Sequence, residues 1–368
     1  MTGLTAVVLA GGHATRLRPL TEDTPKAVVP LLNRPFIEHV VLRLRDAGVS
    51  DVCLALGHLA DEVLAELGDG SDVGVRVHVN VEREPAGSAG ALRPFTSLLG
   101  DPFLVCNGDV FTTFDPRQAT RALEGRAALA AIHLVEVDDP SGYGVVELAP
   151  DGHIARFVEK PPPAEAPSRM ANAGTWAFRR AALEHLPTTG HSMLETGLFP
   201  ALAAAGLLLG VPSDAYWVDA GTVERYLQLH YDLLLGRAAS VARPRGRIVQ
   251  SQSEVWNTPA LAARVAVHPH AAVEGPVLLG DGCRIGAGAL VRGPTALGPD
   301  VIVHDGAYVE ASVVWQGARI GAQAEVIASV LGWNAVVGQG ARLERCALGT
   351  GAQVPPGRTL VSAREAPS

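Results

Sequence analysis

The first 240 or so residues alternate between short apolar runs and segments with helical apolar spacing. Residues 6–10 form an apolar run that is β-branched at its centre and ends in glycine, as expected for a buried strand. Helical spacing follows at 36–45 and 61–67, and two further strands are predicted at 52–56 and 75–79. This β–α–β–α–β order predicts a mostly parallel sheet covered by helices, with ligands at the carboxyl ends of its strands.

The C-terminal third has a different period, in which an aliphatic residue recurs at every sixth position and the register slips by one at each later coil. Glycine often follows the aliphatic residue. A hexapeptide repeat of this kind predicts a parallel β-helix whose coils take about 17 or 18 residues. The predicted inward positions are Val267, Val273, Leu279, Ile285, Val291, Leu297, Val303, Val309, Val314, Ile320, Val326, Leu331, Val337, Leu343, Leu348 and Val354.

The change of period divides the chain. A helix predicted over 223–237 closes the first domain, and a polar stretch with scattered proline and glycine follows it. We therefore predict a catalytic domain over 1–237, a linker over 238–260 and a repeat domain over 261–358. Stacked coils leave an exposed end, so we expect this domain to pack on the first one and to mediate a homo-oligomer, either a dimer or a tetramer.

Composition excludes several classes of partner. Of the 368 residues, 48% are hydrophobic and 18% charged, which is typical of a compact protein. The net charge of −8 argues against binding to nucleic acid, because neutralising its phosphates needs a clustered basic surface. The four cysteines lack metal-ligand spacing, and no signal peptide or membrane-spanning run is evident. We expect a cytoplasmic protein without a membrane partner.

The loop after the first predicted strand combines glycines with cations. Gly11 and Gly12 allow the backbone to approach an anion, and Arg16, Arg18 and Lys26 follow within fifteen residues. The GxxxxGK[ST] phosphate loop and the GxGxxG dinucleotide motif are both absent. On its own, such a loop is more often a plain strand-to-loop corner with solvated charges.

The complete string LAGGHATRLRPLT…TPKAVVP resembles the GGxGTRLxPLTxxxPKP signature of the sugar-1-phosphate nucleotidylyltransferases. Two residues depart from it, Ala14 in place of glycine and Ala27 in place of proline. If position 14 needs a positive φ, the Cβ of alanine costs roughly 1 kcal/mol there. Further motifs occur in family order, namely EPAGSAGAL, NGD, YGVV, FVEKP, NAGTWAF and WVDAGT. The first of these resembles the LGTAGAL segment of the branch that includes mannose-1-phosphate guanylyltransferases.

The resemblance implies an α/β fold, in which a Rossmann-like nucleotidyltransferase domain precedes a left-handed parallel β-helix. It implies a Mg²⁺ cofactor held by Asp109 and Asp219, which are counted as catalytic together with Arg16, Lys26 and Lys160. The implied nucleotide-binding residues are Leu9, Gly11, Gly12, Thr15, Arg16, Gly87, Ser88, Ala89 and Gly108. The implied sugar-phosphate-binding residues are Tyr143, Gly144, Glu159, Lys160, Asn172 and Thr175.

The implied reaction joins a nucleoside triphosphate and a sugar 1-phosphate to give a nucleotide sugar and pyrophosphate. GTP and a mannose-like sugar are favoured as substrates. Another base, a cyclitol or an unusual sugar 1-phosphate remains open, and so does a non-catalytic homologue that binds nucleotide sugar for regulation. Because β-helices also occur in acyltransferases, His304 is a further but less favoured candidate for chemistry.

Overall fold

A computed structural model describes residues 3–12, 14–57 and 59–366. The chain forms two compact units. One contains Met1–Gly12 and Ile37–Val218, and the other contains His13–Phe36 and Asp219–Ser368. The chain thus leaves the first unit directly after its first strand, returns for nearly two hundred residues, and leaves again. Residues 13–36 belong with the C-terminal part of the chain, which the sequence pattern did not indicate.

The first unit is built on a nine-stranded sheet. Seven strands follow one path across it: Ile154–Glu159, Gly144–Leu148, Met170–Phe178, Phe103–Asn107, Leu4–Ala10, Val49–Leu56 and Arg76–Val81. Ala130–Glu136 pairs with Met170–Phe178 and with Leu208–Pro212. A separate two-stranded sheet pairs Val110–Thr112 with Trp217–Asp219, whose first two residues belong to this unit. Residues 103–112, which the sequence alone would suggest as one apolar strand, form two strands, because the chain turns at Gly108 and Asp109.

The parallel part of the sheet follows the predicted pattern. Leu4–Ala10 pairs in parallel with Val49–Leu56 on one side and with Phe103–Asn107 on the other. Val49–Leu56 pairs in parallel with Arg76–Val81 at the next position. The chain order therefore reverses between Leu4–Ala10 and Phe103–Asn107. Ligands of open α/β sheets bind at such a reversal, beyond the carboxyl ends of the strands.

Helices join these strands. The α-helices of the first unit are Phe36–Asp46, whose first residue belongs to the other unit, Ala60–Leu67, Gly87–Gly90, Arg117–Ala122 and Phe199–Ala204, with a π-helical turn at Leu194–Leu198. The 3₁₀ turns are Ser71–Val73, Arg93–Phe95, Pro140–Gly142, Pro163–Glu165 and Arg180–His185. In the first helix, Ile37, Val41 and Leu44 are fully buried at the spacing that puts them on one face. The predicted β–α–β–α–β order is confirmed.

The second unit contains the repeat domain, which is a parallel β-helix. Its short strands form three stacks, and each strand pairs in parallel with the equivalent strand of the next coil. One stack is Ala266–Val267, Arg284–Ile285, Ile302–Val303, Arg319–Ile320, Val336–Val337 and Gln353–Val354. The second is Leu290–Arg292, Tyr308–Glu310, Glu325–Ile327, Arg342–Glu344 and Thr359–Val361. The third is Thr295–Leu297, Val313–Val314, Val330–Leu331, Ala347–Leu348 and Arg364–Glu365, while Ala272–Leu279 spans the second and third stacks.

The predicted inward aliphatic residues form the core of this β-helix. All sixteen belong to one apolar cluster, in which Val267 alone is partly rather than fully buried. The slip in register arises at one corner. The early coil turns through Gly293 and Pro294, whereas later coils turn through a single left-handed residue, such as Ala311 or Ala328, both with φ of 48°. Each later coil is one residue shorter as a result.

A buried polar column runs along the same corner. Thr295, Ser312 and Ser329 are fully buried, and each side-chain oxygen accepts a hydrogen bond from the backbone N–H one coil later. The two serine hydroxyls also donate to a carbonyl oxygen in their own coil. The column therefore satisfies backbone groups that the corner leaves outside the strand ladders.

The rest of the second unit packs on this β-helix. Helix Val223–Leu234 contributes Tyr226, whose hydroxyl donates to Pro30 O and accepts from Trp315 Nε1 at 3.0 Å. Asn33 Nδ2 donates to Leu297 O at 2.9 Å. Residues 14–36 also contain the turns Thr15–Leu17 and Lys26–Val28 and the paired strands Pro30–Leu31 and Arg34–Pro35. These contacts link the cationic loop directly to the repeat domain.

The segment predicted as a linker is ordered. It contains the strand Arg247–Ser251, which pairs antiparallel with Ala272–Leu279, and helices Gln252–Trp256 and Pro259–Ala262. In the described part of the chain, no helix has the length and apolar character needed to cross a membrane.

Candidate active site

Four parallel strands of the first unit end at one edge of its sheet. The residues that follow them are Gly11, Gly57, Glu82 and Gly108. Gly11 and Gly57 lie backbone against backbone, since a Cβ on Gly57 would lie 2.7 Å from Gly11 O. Parallel strands bring their carboxyl ends together, so this edge is the predicted ligand-binding edge.

Leu9 and Gly108 connect the two strands at which the chain order reverses. Gly108 N donates to Leu9 O at 2.8 Å, and Leu9 pairs with Asn107 in the parallel register. Asp109 follows Gly108 in the turn before Val110–Thr112 and is partly exposed. The predicted nucleotide residues Leu9, Gly11 and Gly12 and the predicted metal ligand Asp109 thus belong to the same edge of the first unit.

The cationic loop belongs to the second unit and begins with a left-handed residue. Ala14 has φ of 46° and ψ of 40°, the conformation in which glycine is preferred. Its carbonyl oxygen accepts hydrogen bonds from Leu17 N at 3.0 Å and from Thr21 Oγ1 at 2.9 Å. Leu17 and Leu20 are buried, whereas Thr15 is exposed. The loop is therefore held by buried residues, whereas Thr15, Arg16 and Arg18 are exposed.

Asp219 lies among three cations in this unit. Asp219 Oδ2 lies 3.5 Å from Arg16 Nη2 and 3.5 Å from Arg225 Nη1. Asp219 Oδ1 lies 3.5 Å from Lys26 Nζ. The side chain of Lys26 is only 9% exposed, whereas that of Arg16 is 64% exposed. Three cationic side chains around one carboxylate leave a net positive charge, and the burial of Lys26 strengthens the attraction of this charge for an anion. The cluster is suited to a polyphosphate.

Arg225 was not predicted from the sequence. It lies in the first turn of helix Val223–Leu234, where Thr222 caps the helix by accepting from Arg225 N at 3.3 Å. Its position six residues after Asp219, just inside a capped helix, is the signal that could have identified it. Helix packing brings it to the carboxylate.

The predicted base-side segment is fixed against another part of the first unit. Gly87 has φ of 79°, and a Cβ there would collide with the Ser192 carbonyl. Ala89 N donates to that same oxygen at 3.0 Å. Ser88 Oγ donates to Glu195 Oε2 at 2.5 Å and accepts from Leu194 N at 2.8 Å. The Ser88 hydroxyl therefore positions the segment, and Glu195 is a residue that the sequence pattern missed.

Four of the predicted sugar-side residues meet where strand Gly144–Leu148 begins and its antiparallel partner Ile154–Glu159 ends. Lys160 N donates to Tyr143 O at 2.9 Å, and a Cβ on Gly144 would lie 2.8 Å from Glu159 Oε2. Lys160 Nζ lies 3.5 Å from Glu159 Oε1, but 65% of the lysine side chain is exposed. Burial raises the pKa of Glu159 above its ordinary value; the nearby Lys160 opposes this, and the Glu195 carboxylate adds to it.

Asn172 and Thr175 are both on strand Met170–Phe178 but have different surroundings. Asn172 Oδ1 accepts from Trp176 Nε1 at 2.7 Å and from Gly174 N at 3.1 Å, so its amide nitrogen is directed elsewhere. Thr175 is fully buried, and its hydroxyl lies 3.5 Å from Arg43 Nη2. These contacts leave the Asn172 amide group better placed than the Thr175 hydroxyl to meet a ligand.

The parallel strand ends of the first unit are those of a nucleotide-binding α/β fold, and the second unit contains both the cation cluster and a β-helix. The chain belongs to the family described as nucleotidyl transferase, which matches residues 5–235. A second family, described as GMPPB C-terminal domain, matches residues 273–367. Together with the relatives described next, these matches show that the chain belongs to the sugar-1-phosphate nucleotidylyltransferase family and carries a C-terminal repeat domain.

Individual relatives agree on the class but differ in substrate. The chain is 31% identical to a probable mannose-1-phosphate guanylyltransferase 3 of Oryza sativa, covering 92% of this chain and 89% of the relative. It is also 31% identical to a UTP–glucose-1-phosphate uridylyltransferase of Synechocystis, covering 88% and 85%.

Solved structures agree on the fold. A putative glucose-1-phosphate thymidylyltransferase from Bacillus anthracis has a TM-score of 0.58 at 26% identity and covers 66% of this chain and 98% of that chain. HddC from Yersinia pseudotuberculosis, complexed with GMP-PN, has a TM-score of 0.53 at 28% identity and covers 61% and 97%.

Proposed function

We propose that this enzyme transfers GMP from GTP to mannose 1-phosphate or a closely related sugar 1-phosphate, releasing pyrophosphate. The observation that carries the proposal is the group of Arg16, Lys26 and Arg225 around Asp219, which provides the positive charge that a triphosphate needs. Guanine is favoured because EPAGSAGAL resembles the guanylyltransferase branch and the rice relative is named for this activity.

In this proposal the sugar phosphate oxygen attacks the α-phosphorus in line and pyrophosphate leaves. Such chemistry depends on positioning and on neutralising charge rather than on covalent help from the protein. Arg16 stabilises the charge that develops at the α-phosphorus, and Lys26 contacts the phosphates of the nucleotide. Lys160 binds the phosphate of the sugar, while Glu159 and Asn172 bind its hydroxyls.

Mg²⁺ is part of the proposal. Asp219 Oδ1 is buried and has Lys26 Nζ at 3.5 Å, but it accepts no hydrogen bond among the described residues, which leaves lone pairs that could ligate a metal ion. No group of three or more His, Cys, Asp or Glu side chains in the described chain is arranged to hold a metal. Asp109 and Asp219 would instead hold Mg²⁺ with substrate phosphates, as is usual for this ion. When bound, the ion neutralises phosphate charge.

The decisive experiment measures pyrophosphate release for five nucleoside triphosphates against several sugar 1-phosphates. We expect GTP with mannose 1-phosphate to give the highest kcat/KM, and turnover to cease in excess EDTA. Higher kcat/KM for UTP with glucose 1-phosphate would refute the proposed substrates. Tight binding of a nucleotide sugar with no turnover of any pair would favour the regulatory alternative.

Two variants separate the proposed roles. Arg16→Ala should mainly lower kcat, because Arg16 acts on charge that develops in the transition state. Lys160→Ala should mainly raise the KM for the sugar 1-phosphate. If both variants raised only the KM for the nucleotide, the division of roles would be wrong.

A further inference from the structure

A groove of about 800 Å³ lies on the β-helix and contains none of the residues assigned to the reaction. It is lined by the outward side of the stack that begins with Ala266–Val267, where Arg284, Ile302 and Arg319 are paired in turn on three successive coils. Because neighbouring strands lie about 4.8 Å apart, the Cα atoms of the two arginines are about 10 Å apart. The volume of the groove is that of a site for an organic ligand.

Two arginines in this groove have no partner. Arg264 also lines the groove, but its Nη1 lies 3.2 Å from Asp281 Oδ2. The guanidinium groups of Arg284 and Arg319 make no hydrogen bond, ion pair or ring contact with the part of the chain that the structure describes. Asp300 lines the groove as well, so these side chains together leave a net positive charge, in a chain whose own net charge is −8. The ligand group that this arrangement favours is a phosphate, whose oxygens match the fork of a guanidinium.

Trp333 adds a flat apolar surface to the groove. Its ring is half-buried and packs against the buried Trp315, with the ring centroids 5.2 Å apart. Trp333 precedes strand Val336–Val337, which pairs with Arg319–Ile320, so it lies one coil beyond Arg319. Bases stack on such a ring with little selectivity, because every base has a π-face. Free cations beside an aromatic ring suit a nucleotide.

We propose that this groove is a second nucleotide site, which binds a nucleoside diphosphate group, either free or within a nucleotide sugar. The phosphates bind Arg284 and Arg319, and the base stacks on Trp333. From Arg284 to Trp333 the ligand crosses three coil spacings, or about 14 Å, as an extended nucleotide can. Since stacking does not select a base, this inference does not depend on guanine as the base used in the reaction.

Contacts within the second unit connect this site to the cationic loop. Trp333 packs on Trp315, whose Nε1 donates to the Tyr226 hydroxyl at 3.0 Å. That hydroxyl donates to Pro30 O, four residues after Lys26. A ligand stacked on Trp333 therefore acts on a side chain that is linked by packing and two hydrogen bonds to the loop. We expect an occupied groove to change the KM for the nucleotide substrate about fivefold or more, as is usual for coupled sites.

Isothermal titration calorimetry with GDP, UDP and pyrophosphate tests the site. The wild-type protein should bind one more GDP per chain than the Arg284→Gln/Arg319→Gln double variant, and UDP should bind at the same place. Arg284→Gln alone should weaken this site at least about tenfold, the value of one hydrogen bond to a charged group. Trp333→Leu should weaken the binding of GDP there but leave the binding of pyrophosphate unchanged. Arg358→Gln is the matched control, because Arg358 is an exposed arginine of the same β-helix outside the groove, and it should bind all three ligands as the wild type does.

Equal numbers of GDP molecules bound by the wild type and the double variant would overturn the site. If the double variant also had a different oligomeric state in light scattering, the groove would be an interface between chains instead. The coupling has its own test, since GDP that fills the groove should alter the KM for the nucleotide substrate in the wild type in a way that the double variant lacks. The same response of KM to GDP in both proteins would overturn the coupling, even if calorimetry showed the second site.

Discussion

Ala14 allows a quantitative test of how much the departure from the family signature lowers the stability of the folded protein. Its φ of 46° places it in the left-handed region, where a Cβ costs about 1 to 2 kcal/mol relative to glycine. Ala14→Gly would remove this strain. Glycine also has a more disordered unfolded state, which costs about 0.5 to 1 kcal/mol. We therefore expect a net stabilisation of up to about 1.5 kcal/mol.

The effect on activity should be smaller than the family signature suggests. If the loop keeps the same conformation with and without substrate, the strain is present in both states and cancels from the barrier. Even if all of it were released in the transition state, a strain near 1.4 kcal/mol would change the rate only about tenfold and a strain of about 2 kcal/mol about thirtyfold. We expect Ala14→Gly to change kcat/KM for GTP by less than about tenfold in the pyrophosphate-release assay.

Ala328 provides a matched control, because it has nearly the same conformation, with φ of 48°, at a corner of the β-helix. Ala328→Gly should give a similar stabilisation in urea denaturation and no change in activity. If Ala14→Gly changed stability as Ala328→Gly does but raised activity a hundredfold, the strain would not be the explanation. Conversion of an inactive protein into an active one by Ala14→Gly would instead support the regulatory alternative.

Three further predictions test other contacts. Ser329→Ala should lower the free energy of unfolding by about 1 to 3 kcal/mol in urea denaturation, because it removes the acceptor of the buried Cys346 N–H. A loss below about 0.5 kcal/mol would contradict this. Glu159→Gln should raise the melting temperature relative to wild type, and by more as the pH rises above the ordinary pKa of 4.5, because burial raises the pKa of Glu159 and its ionisation then destabilises the folded wild-type protein. A difference in melting temperature between the two proteins that stayed constant from about pH 4 to 8 would refute this. Tyr226→Phe should cost about 1 to 3 kcal/mol in thermal unfolding, because it leaves Pro30 O and Trp315 Nε1 without their buried partner; an unchanged melting temperature would be the contrary result.

The repeat domain was predictable because the six-residue period of its sequence equals the spacing between inward positions along a coil. Each coil presents the same three inward positions, so the aliphatic spacing located the core residue by residue. The polar column at Ser312 and Ser329 was not found this way, although its members also recur at the length of one coil. A search for aliphatic residues omits serine, and its burial becomes acceptable only once the hydrogen bonds between coils are known.

The sheet of the first unit was predictable up to its turns. Apolar runs located the strands, because parallel strands buried on both faces are almost continuously hydrophobic. The break at Gly108 and Asp109 was missed, although the Asn107-Gly108-Asp109 sequence directly before Val110 is typical of a turn. The separate strand Val110–Thr112 depends on its pairing with a distant segment, which no local pattern contains.

Side-chain direction is what motif resemblance could not supply. The resemblance located the segments that contain Ser88, Asn172 and Thr175, but it assigned all three as ligand contacts. In the structure the Ser88 hydroxyl is occupied by Glu195 and Leu194, and the Thr175 hydroxyl faces Arg43. Glu82 shows the converse: its buried Oε1 accepts no hydrogen bond among the described residues, which becomes visible only when the hydrogen bonds around it are counted.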